Sequence, residues 1–278
     1  MKNREELRNV HKVNLAERVK RMVLSDMDRK SLLLTAEDKD DETYLHTAAL
    51  CGQLDSEPKE LLTAENILAK DDWGRNVIYF AAVGRCLNQV PSALLTEENM
   101  LVVDKEGRTV VHCAAVQGCL TQVPEKVLVA ALLLKDCVSG TPIHDAAKYG
   151  YLGRIPKELL TLENMTVRNK YGETAIHLAA CYGDVRASRG LPTDIGFLEQ
   201  VPKELITVET MLMEDGCGKR PIDIALANGQ IDMLLGLEFP EVVREVVGED
   251  WWEKNQQVLQ VLGGLTNTDV EGSEVDLF

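Results

Sequence analysis

Aromatic side chains are scarce in this chain, 5% of 278 residues. That is little for a β-sandwich or a barrel, whose strands favour Tyr, Phe and Trp. It suits stacked helices cored by Leu and Ala. A cationic excess is missing as well, the formal net charge being −15. Nonspecific phosphate binding needs clustered Lys and Arg, so no direct contact with nucleic acid is expected. A basic partner surface, or simply a solvated acidic exterior, fits this balance. Long hydrophobic runs are absent too. The longest, Val127–Leu134, has eight residues, against about 20 for a membrane-spanning helix. Met1–Lys12 is charged and shows no apolar stretch of the signal-peptide kind. The seven cysteines are odd in number, and no pair has zinc-knuckle spacing. A reducing, cytoplasmic setting is therefore expected.

What the chain does have is a phrase that returns. Thr43-Tyr44-Leu45-His46-Thr47-Ala48-Ala49 is answered by Thr109-Val110-Val111-His112-Cys113-Ala114-Ala115. Then come Thr141-Pro142-Ile143-His144-Asp145-Ala146-Ala147 and Thr174-Ala175-Ile176-His177-Leu178-Ala179-Ala180. Tyr79 and Asp223 hold the histidine slot in weaker copies, so the steps are 33, 33, 32, 33 and 46 residues. A period of this length predicts stacked helix-turn-helix units, each burying its apolar face on its neighbours.

A second phrase runs in phase with the first. Pro58-Lys59-Glu60-Leu61-Leu62-Thr63-Ala64-Glu65-Asn66 recurs from Pro91, Pro156 and Pro202. Proline suits the first turn of a helix, so a short Pro-started helix with a buried Leu-Leu side is predicted. The following Thr would cap a further short turn, with Glu and Asn near its positive end. Gly74, Gly107, Gly172 and Gly218 then mark turns of positive φ.

Thr-x-x-His-x-Ala-Ala-x-x-Gly at this period resembles the ankyrin repeat, over roughly Asp41 to Leu237. The proline in the second helix departs from the usual pattern and is similar to a bacterial variant of that repeat. The resemblance implies an all-α, right-handed solenoid with helical caps at both ends. Residues 1–40 would form an N-terminal half-repeat cap, 41–237 the repeats, 238–264 capping helices and 265–278 a flexible tail. Trp251 and Trp252 would cover the open end of the core. The fifth unit carries thirteen extra residues within 184–200, including Arg186, Arg189 and Phe197. Such insertions map to surface loops, often on a binding face. The third unit replaces the Thr-x-Glu-Asn turn with Val129-Ala130-Ala131-Leu132.

The histidines of the repeat slot invite a metal reading, but neighbouring helices pack roughly 8–10 Å apart, too wide to share one zinc ion. Each imidazole is expected instead to bond its own Thr and nearby backbone. Cys86 and Cys119 share a slot and read as small apolar fillers. No glycine-rich phosphate loop follows a strand, and no Gly-x-Ser-x-Gly elbow is present. The carboxylates repeat with the phrases, as solvated faces do. No catalytic residue, metal or cofactor is expected, and the reading is of a non-enzymatic, monomeric scaffold that binds another protein.

The ankyrin resemblance implies contacts from the turn tips and from the slots four and five after the histidine. Carried over, it points to Trp73, Arg75, Arg108, Lys148, Tyr149, Tyr171 and Tyr182. Trp, Tyr and Arg are types enriched in interface hot spots. Arg75, Arg108 and Lys148 would select acidic groups on the partner. Tyr149, Tyr171 and Tyr182 would form one patch, unless Tyr149 and Tyr182 stack only on each other. The chain ends Glu274-Val275-Asp276-Leu277-Phe278, which resembles the motif that docks bacterial replication and repair proteins on the DNA sliding clamp. Asp276, Leu277 and Phe278 match; Glu274 and Val275 replace the usual Gln and Leu, which weakens docking. An extended tail placing Leu and Phe in an apolar pocket is the physical logic; a chance acidic tail is the alternative. A clamp adaptor and an acidic inhibitor of a nucleic-acid-binding protein are therefore the other functional readings.

Overall fold

The computed structural model describes residues 43–181 and 197–228, together with Gly248. The N-terminal cap, Tyr182, residues 184–196 of the insertion, the capping helices and the tail lie outside the described residues. Among the described residues the chain is helical and forms no strand. An isolated bridge joins Lys70 and Asn76. In chain order the α-helices are α1 (Tyr44–Leu50), α2 (Ala64–Leu68), α3 (Val77–Val83), α4 (Glu97–Met100), α5 (Val110–Gln117) and α6 (Glu125–Ala131). They continue with α7 (Pro142–Tyr149), α8 (Leu162–Met165), α9 (Ala175–Ala180), α10 (Val208–Met211) and α11 (Pro221–Ala227). The odd-numbered helices carry the histidine phrase or its weaker copies and stack in sequence, each against the next.

Small side chains permit that stacking. The paired alanines of α1, α3, α5, α7 and α9 are all buried, so backbones approach without voids. The leucine of the 3₁₀ turn after the odd helix completes each layer. Leu54, Leu87, Leu120, Leu152 and Leu198 are fully buried, each contributing about 1.5–3 kcal/mol of apolar transfer.

The second phrase folds differently from its prediction. The Pro-started helix is a single 3₁₀ turn in four units: Lys59–Leu61, Ser92–Leu94, Lys157–Leu159 and Lys203–Leu205. The proline sits just before that turn rather than inside it. The reason lies in the next residues. Thr63 is extended and accepts from the Asn66 N–H (3.3 Å), while the Asn66 side chain donates to the Leu61 carbonyl (2.8 Å). The same lock joins Thr96, Asn99 and Leu94, and again Thr161, Asn164 and Leu159. In the fifth unit the Thr210 hydroxyl takes the asparagine's place on Leu205 O (2.6 Å). An extended residue two places after the turn forbids a continuous helix. Where Thr and Asn are missing, after Pro124, the chain does form the seven-residue helix α6. It buries Val127, Leu128 and Ala131 and exposes Val129, and Leu133 and Leu134 just beyond its end are exposed as well.

Between units the chain makes five like turns. Asp71, Asp104, Asp136, Asn169 and Asp215 each open one, the side-chain oxygen accepting from the N–H groups two and four residues on. Such self-bonding is what these side chains favour in turns. The turns are then linked tip to tip by backbone bonds: Lys105 N to Trp73 O (3.1 Å), Cys137 N to Glu106 O (2.8 Å), Lys170 N to Val138 O (3.0 Å) and Gly216 N to Tyr171 O (2.8 Å).

Gly172 has φ +77° and a Cβ there would meet Gly216 N at 2.5 Å. Ser139 fills the equivalent slot of the third turn at φ +56°. Gly172→Ala is therefore expected to lower unfolding free energy by about 1–3 kcal/mol, and Ser139→Gly to leave it unchanged or raise it by up to about 1 kcal/mol. Urea denaturation of the two variants beside the parent chain checks both directions; equal effects would show that the ladder imposes no strain.

Candidate functional site

The turn ladder sets what reaches solvent. Trp73 sits third in the first turn and is 38% exposed, and Tyr171 holds the same place in the fourth turn at 55%. Each is accompanied by a lysine: the Lys105 ammonium lies 5.7 Å from the Trp73 ring centroid, and Lys170 5.0 Å from that of Tyr171. Since Lys105 N bonds Trp73 O, the first pair is assembled by the ladder itself.

Arg75 and Arg108, expected to present guanidinium groups to a partner, are already paired within the chain. Arg75 Nε donates to Asp71 Oδ2 (2.7 Å), and its guanidinium packs 4.8 Å from the Phe80 ring. The Asp71 side chain is wholly buried, so this pair braces the first turn. Arg108 reaches from its turn to Asp145 on α7 (2.7 Å), both side chains about a fifth to a quarter exposed. Burial pushes the Asp145 carboxyl up to about 6, against the pull of the guanidinium. It remains mostly ionised at neutral pH, as the short contact and the raised Arg108 require. Lys148 is exposed on α7 and lies 6.0 Å over the half-buried Tyr149 ring. Tyr182 and Glu274–Phe278 lie outside the described residues. Phe197, placed in the insertion by its position, is instead buried, with its ring against Gly150. It belongs to the repeat frame, in the slot that Cys86, Cys119 and Tyr151 fill in earlier units.

The histidines bridge units. The Thr43 N–H donates to His46 Nδ1 (3.0 Å) and the Thr43 hydroxyl adjoins the same nitrogen (2.9 Å). The same pairing joins Thr109 with His112, Thr141 with His144 and Thr174 with His177. Because Nδ1 accepts a backbone N–H, the ring proton is on Nε2. From there His46 donates to Ala69 O and Arg75 O, and His144 to Val167 O and Glu173 O, in each case bracketing the next turn. His112 reaches Gly140 O at 3.4 Å. His177 Nε2 has no partner at bonding distance, although the Met213 and Lys219 carbonyls face it in the same register. In the second unit the Tyr79 hydroxyl does the bridging, donating to Asp104 Oδ2 (2.8 Å).

Burial lowers all four imidazoles, His112 to about 4, and pushes the Cys113 thiol up to about 12 and those of Cys86 and Cys119 up to about 11. Protonated thiols of this kind are poor nucleophiles. Cys86 and Cys119 donate to Ala49 O and Ala82 O of the preceding unit. Among the described residues no group of three His, Cys, Asp or Glu is placed to hold a metal ion. No helix there is long and apolar enough to cross a membrane.

Sequence reasoning overlooked the turn Asp/Asn series and the glutamines Gln89, Gln122 and Gln200. The signal was present: Asp or Asn stands three residues before each turn glycine. The glutamines recur two places before the prolines of their units, and each accepts from a backbone N–H of the preceding unit.

No family model matches the chain, and no curated protein matches it. Among solved structures, the chain is similar to one from a complex of a predatory endopeptidase of Bdellovibrio bacteriovorus with an immunity protein. The two are 19% identical, the match covers 70% of this chain and 94% of that one, and the TM-score is 0.47. A likeness at that level carries no argument about fold detail or activity.

The lowered imidazoles make stability pH-dependent. The unfolded chain takes up protons near pH 6.5 that the folded chain refuses, so stability is full above 6.5 and is lost as pH falls toward 4. Fully protonated, His112 alone would cost about 3 kcal/mol. Asp145 acts the other way below pH 6, one carboxyl against four imidazoles. Urea midpoints are therefore expected to drop between about pH 7 and about pH 4.5; equal midpoints would mean that the rings are not held neutral.

Proposed function

We propose that this chain is an ankyrin-like helical-repeat solenoid that binds another protein through its turn tips and the adjoining concave face, without catalysing a reaction. The observation that carries this reading is the pair Trp73 and Tyr171. Two large aromatic rings stand exposed at equivalent places on turns that backbone hydrogen bonds hold in line. Rigid aromatic side chains lose little entropy on contact. The in-phase repeat supports the ankyrin-like reading, as do the positive-φ turn glycines and the stacking of successive helices. Arg75 and Arg108 contribute by holding the tips in place, while Lys148 and Tyr149 extend the surface along α7. A cytoplasmic, bacterial setting accords with the free thiols and with the resemblance of the repeat.

Affinity capture from native lysate tests the reading. The intact chain is expected to retain a partner that Trp73→Ala/Tyr171→Ala loses by tenfold or more, about 1.4 kcal/mol. Both changes are at exposed sites, so circular dichroism should be unaltered. Loss of the partner on truncation before Leu265, with the double variant still binding, would sink the proposal in favour of a tail-borne motif.

A further inference from the structure

The even-numbered helices carry apolar surface that the core does not use. One buried side chain pins each of them: Ile67, Met100, Leu132, Met165 and Met211. Three residues before that anchor stand Ala64, Glu97, Val129, Leu162 and Val208 in successive units. Ala64 is exposed, and the Glu97 carboxylate pairs with Lys126 (3.2 Å), so the position makes no demand for apolar bulk. Yet Val129 is 55%, Leu162 48% and Val208 38% exposed. These three belong to adjoining units, and Leu133 and Leu134 add further exposed apolar surface in the first of them. Single exposed aliphatics are ordinary, whereas a set in register across stacked units marks a contact surface. Charge on the same face is one-sided. Glu65, Glu98, Glu163 and Glu209 each follow that position by one residue, all are exposed, and none forms an ion pair. A glutamate second in a short helix suits its positive end; an aliphatic first in it has no such reason. Segments 54–66, 87–99, 120–132, 152–165 and 197–211 together hold twelve Asp and Glu against five Lys and Arg. The other described residues hold ten against eleven, so the acidity of the described chain is concentrated on this face.

We propose that Val129, Leu162 and Val208 form a second docking surface, separate from the turn tips, whose occupant is a basic amphipathic helix of another protein. Charge selects the class. Two copies of this chain joined through the face would bring glutamates against glutamates, and an anionic membrane would be repelled. A cationic partner gains from the same groups. Spacing selects the conformation. Neighbouring units are roughly 8–10 Å apart, so the three aliphatics span about 16–20 Å. A helix returns a side chain to nearly the same face every seven residues, after about 10.5 Å. An extended chain at about 3.3 Å per residue covers one step in about three residues, which turns every other contact away from the surface. The partner's apolar stripe would rest on the aliphatics, and Lys or Arg beside the stripe would meet Glu163 and Glu209. Long cationic side chains suit this, since their stems cover apolar surface while the charged ends stay in water.

The probe is a fluorescein-labelled peptide of about 18 residues, with Leu along one helical stripe, Lys on both flanks and Ala elsewhere. Its control is a scrambled peptide of the same composition, which keeps the charge and breaks the stripe. Fluorescence anisotropy is read with the full chain at about 150 mM salt, where long-range attraction is screened. The striped peptide is expected to bind at least about tenfold more tightly than the scrambled one. Leu162→Ser/Val208→Ser should weaken it by about tenfold or more. Glu163→Gln/Glu209→Gln should weaken it by about threefold or more, and Asp72→Asn/Glu106→Gln, the same change in net charge at exposed turn positions, by less than about twofold. Trp73→Ala/Tyr171→Ala should leave it unchanged, which separates this surface from the one that carries the proposed function. All the substituted residues are exposed, and circular dichroism beside the parent chain checks that each variant keeps its fold. Equal binding of the two peptides, no binding of the striped one, or equal losses in the two neutralised pairs would overturn the proposal. So would sedimentation showing a dimer that Leu162→Ser/Val208→Ser dissolves, since the face would then belong to a second copy.

Discussion

Five of the described units place one side chain between themselves and the next. In four of them it is an imidazole. Nδ1 takes the N–H of the helix-opening threonine, and Nε2 points at the carbonyls that bracket the next turn. A neutral histidine offers one acceptor and one donor on opposite sides of a rigid ring. It can thus satisfy an orphan N–H at a helix start and reach a neighbouring unit with no spare polar atom. Tyr79 reaches the next unit with one hydroxyl and leaves its own helix start to Asn76, which accepts from the Tyr79 N–H. Two residues then share the work of one imidazole.

The stacking register is robust because several polar contacts encode it redundantly. The thirteen extra residues before Phe197 leave the frame intact. Gln200 still accepts from Gly153 N, as Gln89 does from Asp55 N, and Gly216 still closes the turn ladder on Tyr171. The aromatic ring of Phe197 lies where earlier units place Cys86, and Gly150 makes room for it. A longer loop adds little closure entropy when its ends are held by such contacts. An insertion is therefore a cheap way to alter surface without altering core.

Function in this reading follows from stiffness. The ladder that joins the turns fixes the spacing of Trp73 and Tyr171 before any partner arrives, which reduces the ordering cost of binding. The two arginines most suited to ion pairing spend their charge inward, on Asp71 and Asp145. The exposed lysines are left to face outward. Recognition would thus rest on the two aromatic rings held at equivalent turn positions.

Much of this architecture was legible in the chain. The 33-residue period, the Thr-x-x-His opening and the Ala-Ala pairs announce stacked helices, because a helix must bury its small-residue face and a repeated face can only bury itself on its neighbour. The role of each histidine followed from the same logic. The site was half legible. Exposure of Trp73 and Tyr171 at turn tips could be anticipated from their place beside glycine. The internal pairing of Arg108 could not, since Asp145 lies 37 residues away and only stacking brings the two together, whereas Arg75 finds Asp71 four residues off in its own turn. Likewise a proline that suits a helix start became the entry to one 3₁₀ turn, because an asparagine five residues after the leucine carbonyl closes it. Periodicity determined which residues face the core. Contacts between units, which no local pattern records, decided which charges remain free to act.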